Sequence, residues 1–339
     1  RQRPEKEPEQ GGLQMNAGTW ASIINLTACF AIPLMLVALG GMYSERSGII
    51  NLALEGIMIM GALASTLFLQ ALDKAGWGAS VLTSQLGVLL AALIAGIVGL
   101  LFSLLLAFAA IQLKADQTIG GTALNLFAPA FCVVIAWAVQ GQGITDIPIP
   151  SWTRWTPSQL GIAGKVNQDF LPSLFKKFYI TIPLAIVLFL IAWFVLYKTR
   201  FGLRLRACGE HPQAADSVGI NVYKMRYAGV LISGLLGGLG GIVYITAGVS
   251  LWKFENGVAG FGFLALAVMI FGAWHPLKIA LAALLFGFLR ALGNVYSGLG
   301  FMMALNIPSV VYNMLPYVIS LVVLAFTSKK SRAPKAEGI

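Results

Sequence analysis

Charge is scarce in this chain. Asp, Glu, Lys and Arg together make up 11% of its 339 residues, while hydrophobic residues make up 58%. Soluble globular domains carry roughly 25% charged residues. A chain this long and this poor in charge cannot cover a water-facing surface, so a bilayer-embedded protein is expected. Cysteine and histidine are also sparse, at three and two residues. Cys29, Cys132 and Cys208 are widely separated, and His211 and His275 fall in no CxxC or HExxH spacing. Neither a metal site nor dithiol chemistry therefore has sequence support. No GxxxxGK[ST] phosphate loop occurs either. The Gly164-Lys165 pair lacks both the earlier glycine and the following hydroxyl residue.

Long apolar runs are what the chain does have. A helix needs about 20 apolar residues to cross a hydrocarbon core of ~30 Å. Runs at residues 20–41, 49–72, 81–110, 118–139, 179–197, 227–249, 258–273, 277–295 and 311–326 meet or approach that need. The expected fold is an all-α, polytopic bundle of nine spans, with room for a tenth inside the long third run. Glycine is abundant, at 38 residues. The run GLLGGLGG at residues 234–241 reads as a site of close helix packing rather than a phosphate cradle, because it lies within a span and follows no strand. Cys29 and Cys132 lie in apolar runs and read as small packing residues.

Basic residues set the orientation. The connection 198–226 holds Lys198, Arg200, Arg204, Arg206, Lys224 and Arg226, and the tail 329–339 holds Lys329, Lys330, Arg332 and Lys335. Four spans separate them, so both lie on one side, which the positive-inside bias makes the cytoplasm. The loop 141–178 and the N-terminus then lie outside. The net charge of +10 follows from this placement, and no nucleic-acid partner is expected. Residues 1–14, polar and rich in Pro and Gly, read as a disordered tail or an appended remnant. Residues 15–328 read as one membrane domain. Two stretches echo each other: residues 45–62 (ERSGIINLALEGIMIMGA) and 255–273 (ENGVAGFGFLALAVMIFGA). They enter the membrane from opposite sides, as an inverted repeat requires.

The loop 201–221 (FGLRLRACGEHPQAADSVGIN) is richer than a bare basic connection. Pro212 is placed to start a short helix, Ala214 and Ala215 favour it, and Gly219 is placed to end it. Such a helix, parallel to the membrane, could seat in a cleft of a cytosolic partner or lie on the lipid surface. Residues 209–220 resemble the coupling-helix signature of ribose-permease-like ABC importer subunits, with His211 standing where Asn is common. Residues 41–62, 116–125 (DQTIGGTALN), 262–276 (GFLALAVMIFGAWHP) and 316–324 (PYVISLVVL) resemble the nucleoside and simple-sugar branch, in the same order along the chain.

The resemblance implies a type II importer fold in a bacterial cytoplasmic membrane. It also implies a second permease, often a different one, a tandem-domain ABC ATPase that binds ATP and Mg, and an external substrate-binding lipoprotein. Nucleosides are the expected solutes, with other ribosyl compounds and simple sugars as rivals. This chain would be a transport subunit with no catalytic site and no cofactor of its own. Gly209, Glu210, Pro212, Ala214, Ala215 and Gly219 would couple it to the ATPase. Polar residues within spans are costly unless they face protein or water. Asn51 and Glu55, read as one helical face of the second span, suit a pathway or a dimer seam. They equally suit a helix-end carboxylate bonding Asn51 and Arg46. Asn125 and Asn294 are pathway or helix-packing candidates, and Arg290 reads as snorkelling to the external interface. A secondary transporter working without an ATPase would need more buried acids than Glu55. A membrane enzyme for lipid-linked substrates would need a cluster of Asp, Glu or His.

Overall fold

All nine apolar runs form helices in the computed structural model, which describes residues 17–327, 333–336 and 338 apart from residues 79, 145, 167, 177, 249–250 and 296–307. The chain is a multi-pass membrane protein. The spans are α1 (Ala17–Glu45), α2 (Leu54–Lys74), α3 (Val81–Ala107), α4 (Gln117–Gln140), α6 (Thr181–Lys198), α9 (Val222–Val243), α10 (Phe261–Phe271), α11 (Pro276–Val295) and α12 (Ser309–Thr327). The long third run hides no break. Its α-helix passes directly into a π turn at Phe108–Gln112, so it is one long span, and no tenth crosses among the described residues. The tail 1–14 and Lys329, Lys330 and Arg332 lie outside the described residues.

Two runs differ from expectation in a way that shapes the site. Residues 46–53 are irregular, so α2 begins at Leu54 rather than at residue 49. The seventh run yields only the 11-residue α10, which reaches 18 residues by counting the irregular lead-in from Phe254. In both places an irregular approach replaces the first helical turns.

Local rules explain where neighbouring helices begin. Ser80 caps α3 by accepting from the Thr83 amide at 3.3 Å, and the Thr83 hydroxyl accepts from the Ser80 amide in return. Asp116 caps α4, accepting from the amides of Thr118 and Ile119 at 2.8 and 3.0 Å. α9 is the central post, packed by α1, α2 and α3. Its glycines permit that crowding. A Cβ on Gly238 would lie 2.2 Å from the carbonyl oxygen of Ala95, and one on Gly234 would lie 2.0 Å from the hydroxyl oxygen of Ser103. Cys29 and Cys132 are fully buried packing residues, as expected.

The connection 141–180 is folded, not loose. Strand β1 (Ile147–Pro148) pairs antiparallel with β2 (Leu251–Trp252). The indole of Trp152 donates to Asp73 at 2.7 Å. The short helix α5 (Phe170–Leu174) lies against α1, where Asn25 donates to the Leu174 carbonyl at 2.8 Å. The opposite end of the bundle carries the basic connection. It holds two helices, α7 (Arg200–Glu210) and α8 (Pro212–Ser217). Only α8 was legible beforehand.

Close approach at α9 makes a direct prediction. Gly238→Leu should abolish folded yield or lower the Tm in detergent by more than ~10 °C, since overpacking costs 1–3 kcal/mol or more. Gly120→Ala, whose added Cβ meets nothing nearer than 3.5 Å, should leave size-exclusion profile and Tm unchanged.

Candidate functional site

α10 organises the site because it is too short to cross. Its 11 residues rise about 16 Å, half the ~30 Å hydrocarbon core. Its C-terminal end reaches Trp274, which sits at the basic end, so its N-terminus must lie inside the bundle. The depth can be read from α9. Leu54 and Ile57 of α2 lie against Gly237, near the middle of the apolar run 227–249. A Cβ on Gly262 would strike the amide nitrogen and Cα of Glu55 at 2.3 and 2.4 Å. The first turns of α2 and α10 therefore meet backbone to backbone at mid-depth. α2 runs away from the basic end and α10 towards it, which is the antiparallel arrangement the sequence echo requires.

A helix that starts in hydrocarbon has orphan amides and no water to satisfy them. Glu55 supplies the acceptors. Its two carboxylate oxygens accept from the amides of Gly260 at 2.9 Å and Gly262 at 2.6 Å. The side chain is 7% exposed and faces the positive ends of two helix dipoles. Hydrogen bonds to a charged group contribute about 1.5–3 kcal/mol each. The turn it holds is strained, with Gly257 at φ 56°, Ala259 at φ 54° and Gly260 at φ 77°. Tyr317 steadies it by donating to the Ala259 carbonyl at 2.9 Å, and the Trp252 indole donates to the Gly257 carbonyl at 2.8 Å.

A cavity of about 370 Å³ opens between α2, α4 and this turn. Its polar side chains are Glu55, Thr122, Asn125, Glu255 and Asn256, and the rest of its wall is mainly apolar, with Leu52, Ile59, Leu126 and Phe263. It continues onto the outer face of α4, where Thr118, Ile119, Thr122, Ala123 and Leu126 line a shallower hollow. Ile119 and Leu126 are 70% and 73% exposed there, and α4 is the least enclosed of the eight spans up to α11.

The basic end forms a platform. Pro212 opens α8 at its first position, and Gly219, at φ 80°, ends it. Ala215 is buried and Ala214 exposed. Gly209 lets α7 touch the α1–α2 connection, because a Cβ there would lie 2.3 Å from the Arg46 carbonyl oxygen. Arg46 forms an ion pair with Glu210 at 3.4 Å and also donates to the Trp274 carbonyl at 3.1 Å. The Trp274 indole in turn donates to Glu45. The far end of α10 is thus tied to the same residue that holds α7. The amide of Ala336, near the C-terminus, donates to the Gly209 carbonyl at 2.9 Å. A cavity of about 690 Å³ runs beneath α8, bordered by Lys114, Asp116, Asp216 and Arg226.

A family model described as branched-chain amino acid transport system / permease component matches residues 23–326. The chain belongs to this permease family. The guanosine ABC transporter permease protein NupQ of Bacillus subtilis is 44% identical over 94% of this chain and 95% of its own length. The nucleoside ABC transporter permease protein NupC of Lactococcus lactis is also 44% identical, over 91% and 93%. A further Lactococcus nucleoside ABC transporter permease protein, NupB, is 24% identical over 76% and 68%. No solved structure gives a significant match.

Within this permease the sequence-predicted polar residues have unequal fates. Asn51 does not share a helical face with Glu55. It precedes α2, is fully buried, donates to Ser233 at 2.8 Å and accepts from the Ala53 amide at 3.1 Å. Glu55 bonds neither Asn51 nor Arg46 but reaches α10. Asn125 lines the cavity, yet both ends of its amide serve the start of α2: it accepts from the Gly56 amide at 2.8 Å and donates to the Leu52 carbonyl at 2.6 Å. Asn294 is exposed and donates to the carbonyl of Arg290 on its own helix at 2.9 Å, so it takes no part in the cavity. Arg290 does not snorkel outward. Its guanidinium lies over the Phe261 ring at 5.9 Å, beside the first turn of α10. Glu255 and Asn256 were missed, although Glu255 opens the second copy of the echo.

Two substitutions separate these roles. Glu55→Gln, which loses one acceptor, should cost about 1–3 kcal/mol of stability and at least ten-fold in transport by the assembled complex. Asn294→Ala should leave both Tm and transport at wild-type values.

Proposed function

We propose that this permease carries nucleosides inwards across a bacterial cytoplasmic membrane, as one subunit of an ATP-driven importer. The observation that carries the reading is the end-to-end identity of 44% with two permeases named for guanosine and nucleoside transport. The mid-depth cavity supports it. About 370 Å³ with mostly apolar walls and a few polar groups suits a small uncharged solute. The match also supports a partner permease, since Lactococcus has two unequal nucleoside permeases related to this chain. The open, Thr- and Leu-lined face of α4 is the surface that the second permease would enclose, with the solute passing between them.

The remaining assembly follows the same reading. The basic end faces the cytoplasm, and α8 with Gly209, Glu210, Pro212, Ala214, Ala215 and Gly219 docks on an ATPase that binds ATP and Mg. An external lipoprotein delivers the solute to the end carrying the β1–β2 pair. The alternative of an ion-coupled carrier is weakened because the buried carboxylate of Glu55 is committed to the amides of α10.

The test is ATP-driven uptake of radiolabelled guanosine in proteoliposomes holding both permeases, the ATPase and the binding protein. Gly219→Val should keep at least half of the ATP hydrolysis while lowering solute moved per ATP at least ten-fold. Ala215→Asp should do the same by forcing a charge into a buried site. Uptake by the permease without nucleotide, or labelling of α8 from outside intact cells, would overturn the reading.

A further inference from the structure

The cavity beside α10 holds five polar side chains, and three are already engaged. Glu55 is spent on the α10 amides and Asn125 on the start of α2, while the Thr122 hydroxyl donates to the Thr118 carbonyl at 2.8 Å. Glu255 and Asn256 differ. Both are exposed, and neither side chain has a hydrogen-bond partner among the described residues. The one ion pair among those residues, Arg46–Glu210, lies at the basic end. The sequence echo sharpens the contrast. Glu45 opens the first copy and is buried against the Trp274 indole. Glu255 opens the second copy and is left facing the cavity.

The turn that carries the pair is rigid. It is a single 3₁₀ turn, Phe254–Asn256, set between β2 and the strained Gly257–Gly260 segment. Phe254 is 0% exposed and Trp252 is 2% exposed. The first anchors the turn itself, and the second ties β2 both to β1 and to the Gly257 carbonyl. A polar pair on so fixed a base is pre-organised rather than adaptable.

We propose that Glu255 and Asn256 grip the neighbouring hydroxyl groups of the passing solute, as in the cis-diol of a ribose ring. A carboxylate only accepts, and its two oxygens suit two adjacent O–H donors. The Asn256 amide adds a donor for a hydroxyl or ring oxygen. The apolar wall of Leu52, Ile59, Leu126 and Phe263 then receives the flat base. Of the two carboxylates at this cavity only that of Glu255 is unengaged, since Glu55 is held by the Gly260 and Gly262 amides, so hydroxyl recognition falls to Glu255 and Asn256. This assignment rests on the nucleoside reading and adds to it the residues that touch the solute and the part they recognise.

The experiment compares guanosine with 2′,3′-dideoxyguanosine in the reconstituted complex, each at saturating loading of the binding protein. Dividing variant by wild-type uptake for each solute cancels the binding protein's own preference. Glu255→Gln should lower guanosine uptake at least ten-fold and dideoxyguanosine uptake less than two-fold, with ATP hydrolysis and size-exclusion profile preserved. Asn256→Ala should give the same pattern, more weakly, and carries the comparison if Glu255→Gln fails to assemble. Unchanged guanosine uptake, or equal losses for both solutes, would overturn the grip while leaving the nucleoside reading intact. A wild-type complex that takes up neither solute but moves another would overturn both.

Discussion

One carboxylate lets two half-buried helix ends share the middle of the bundle. Hydrocarbon cannot solvate an amide, so a helix such as α10 can begin at mid-depth only where protein supplies an acceptor. Glu55 does so from the first turn of α2, and the α2 start is secured in turn by Asn125 and Asn51. Remove that acceptor and two orphan amides face an apolar surround. The cavity, the strained turn beside it and the placement of Glu255 all depend on this junction.

The same constraint explains why glycine gathers here and in α9. Gly262 sits against the backbone of Glu55, and Gly238 sits against the backbone of α3. In a membrane, where burial between helices gains little from the hydrophobic effect, close approach and dispersion hold the bundle. Small residues at α9 make the post thin enough for three neighbours to crowd it. The side chains with mechanistic roles then stand on elements that cannot drift.

Much of this architecture was legible in the sequence because apolar length and turn chemistry are local properties. The nine runs became helices, the glycine run became a packing seam, and Pro212 and Gly219 bounded α8 as expected. What was not legible depends on distant partners. The Glu55 bonds to Gly260 and Gly262 span 205 and 207 residues, so Glu55 read alone suggested a helix face shared with Asn51. Apolar length also overstated the start of the second and seventh runs, because residues 49–53 and 258–260 are hydrophobic enough to pass as helix. α7 went unread because its polar, basic face resembles an ordinary connection. Glu255 was hidden for a related reason: it stands just before a predicted span, where a charge is expected to face water.

α10 joins two places that would otherwise be independent. Its upper end rests on Glu55 beside the cavity, and its lower end rests on Trp274, which Glu45 and Arg46 hold against Glu210. An 11-residue helix is stiff over its ~16 Å. The contacts at its two ends, Glu55 above and Trp274 below, therefore sit on one short element rather than on separate long spans. The shortest of the nine membrane helices is thus the strut between cavity and platform.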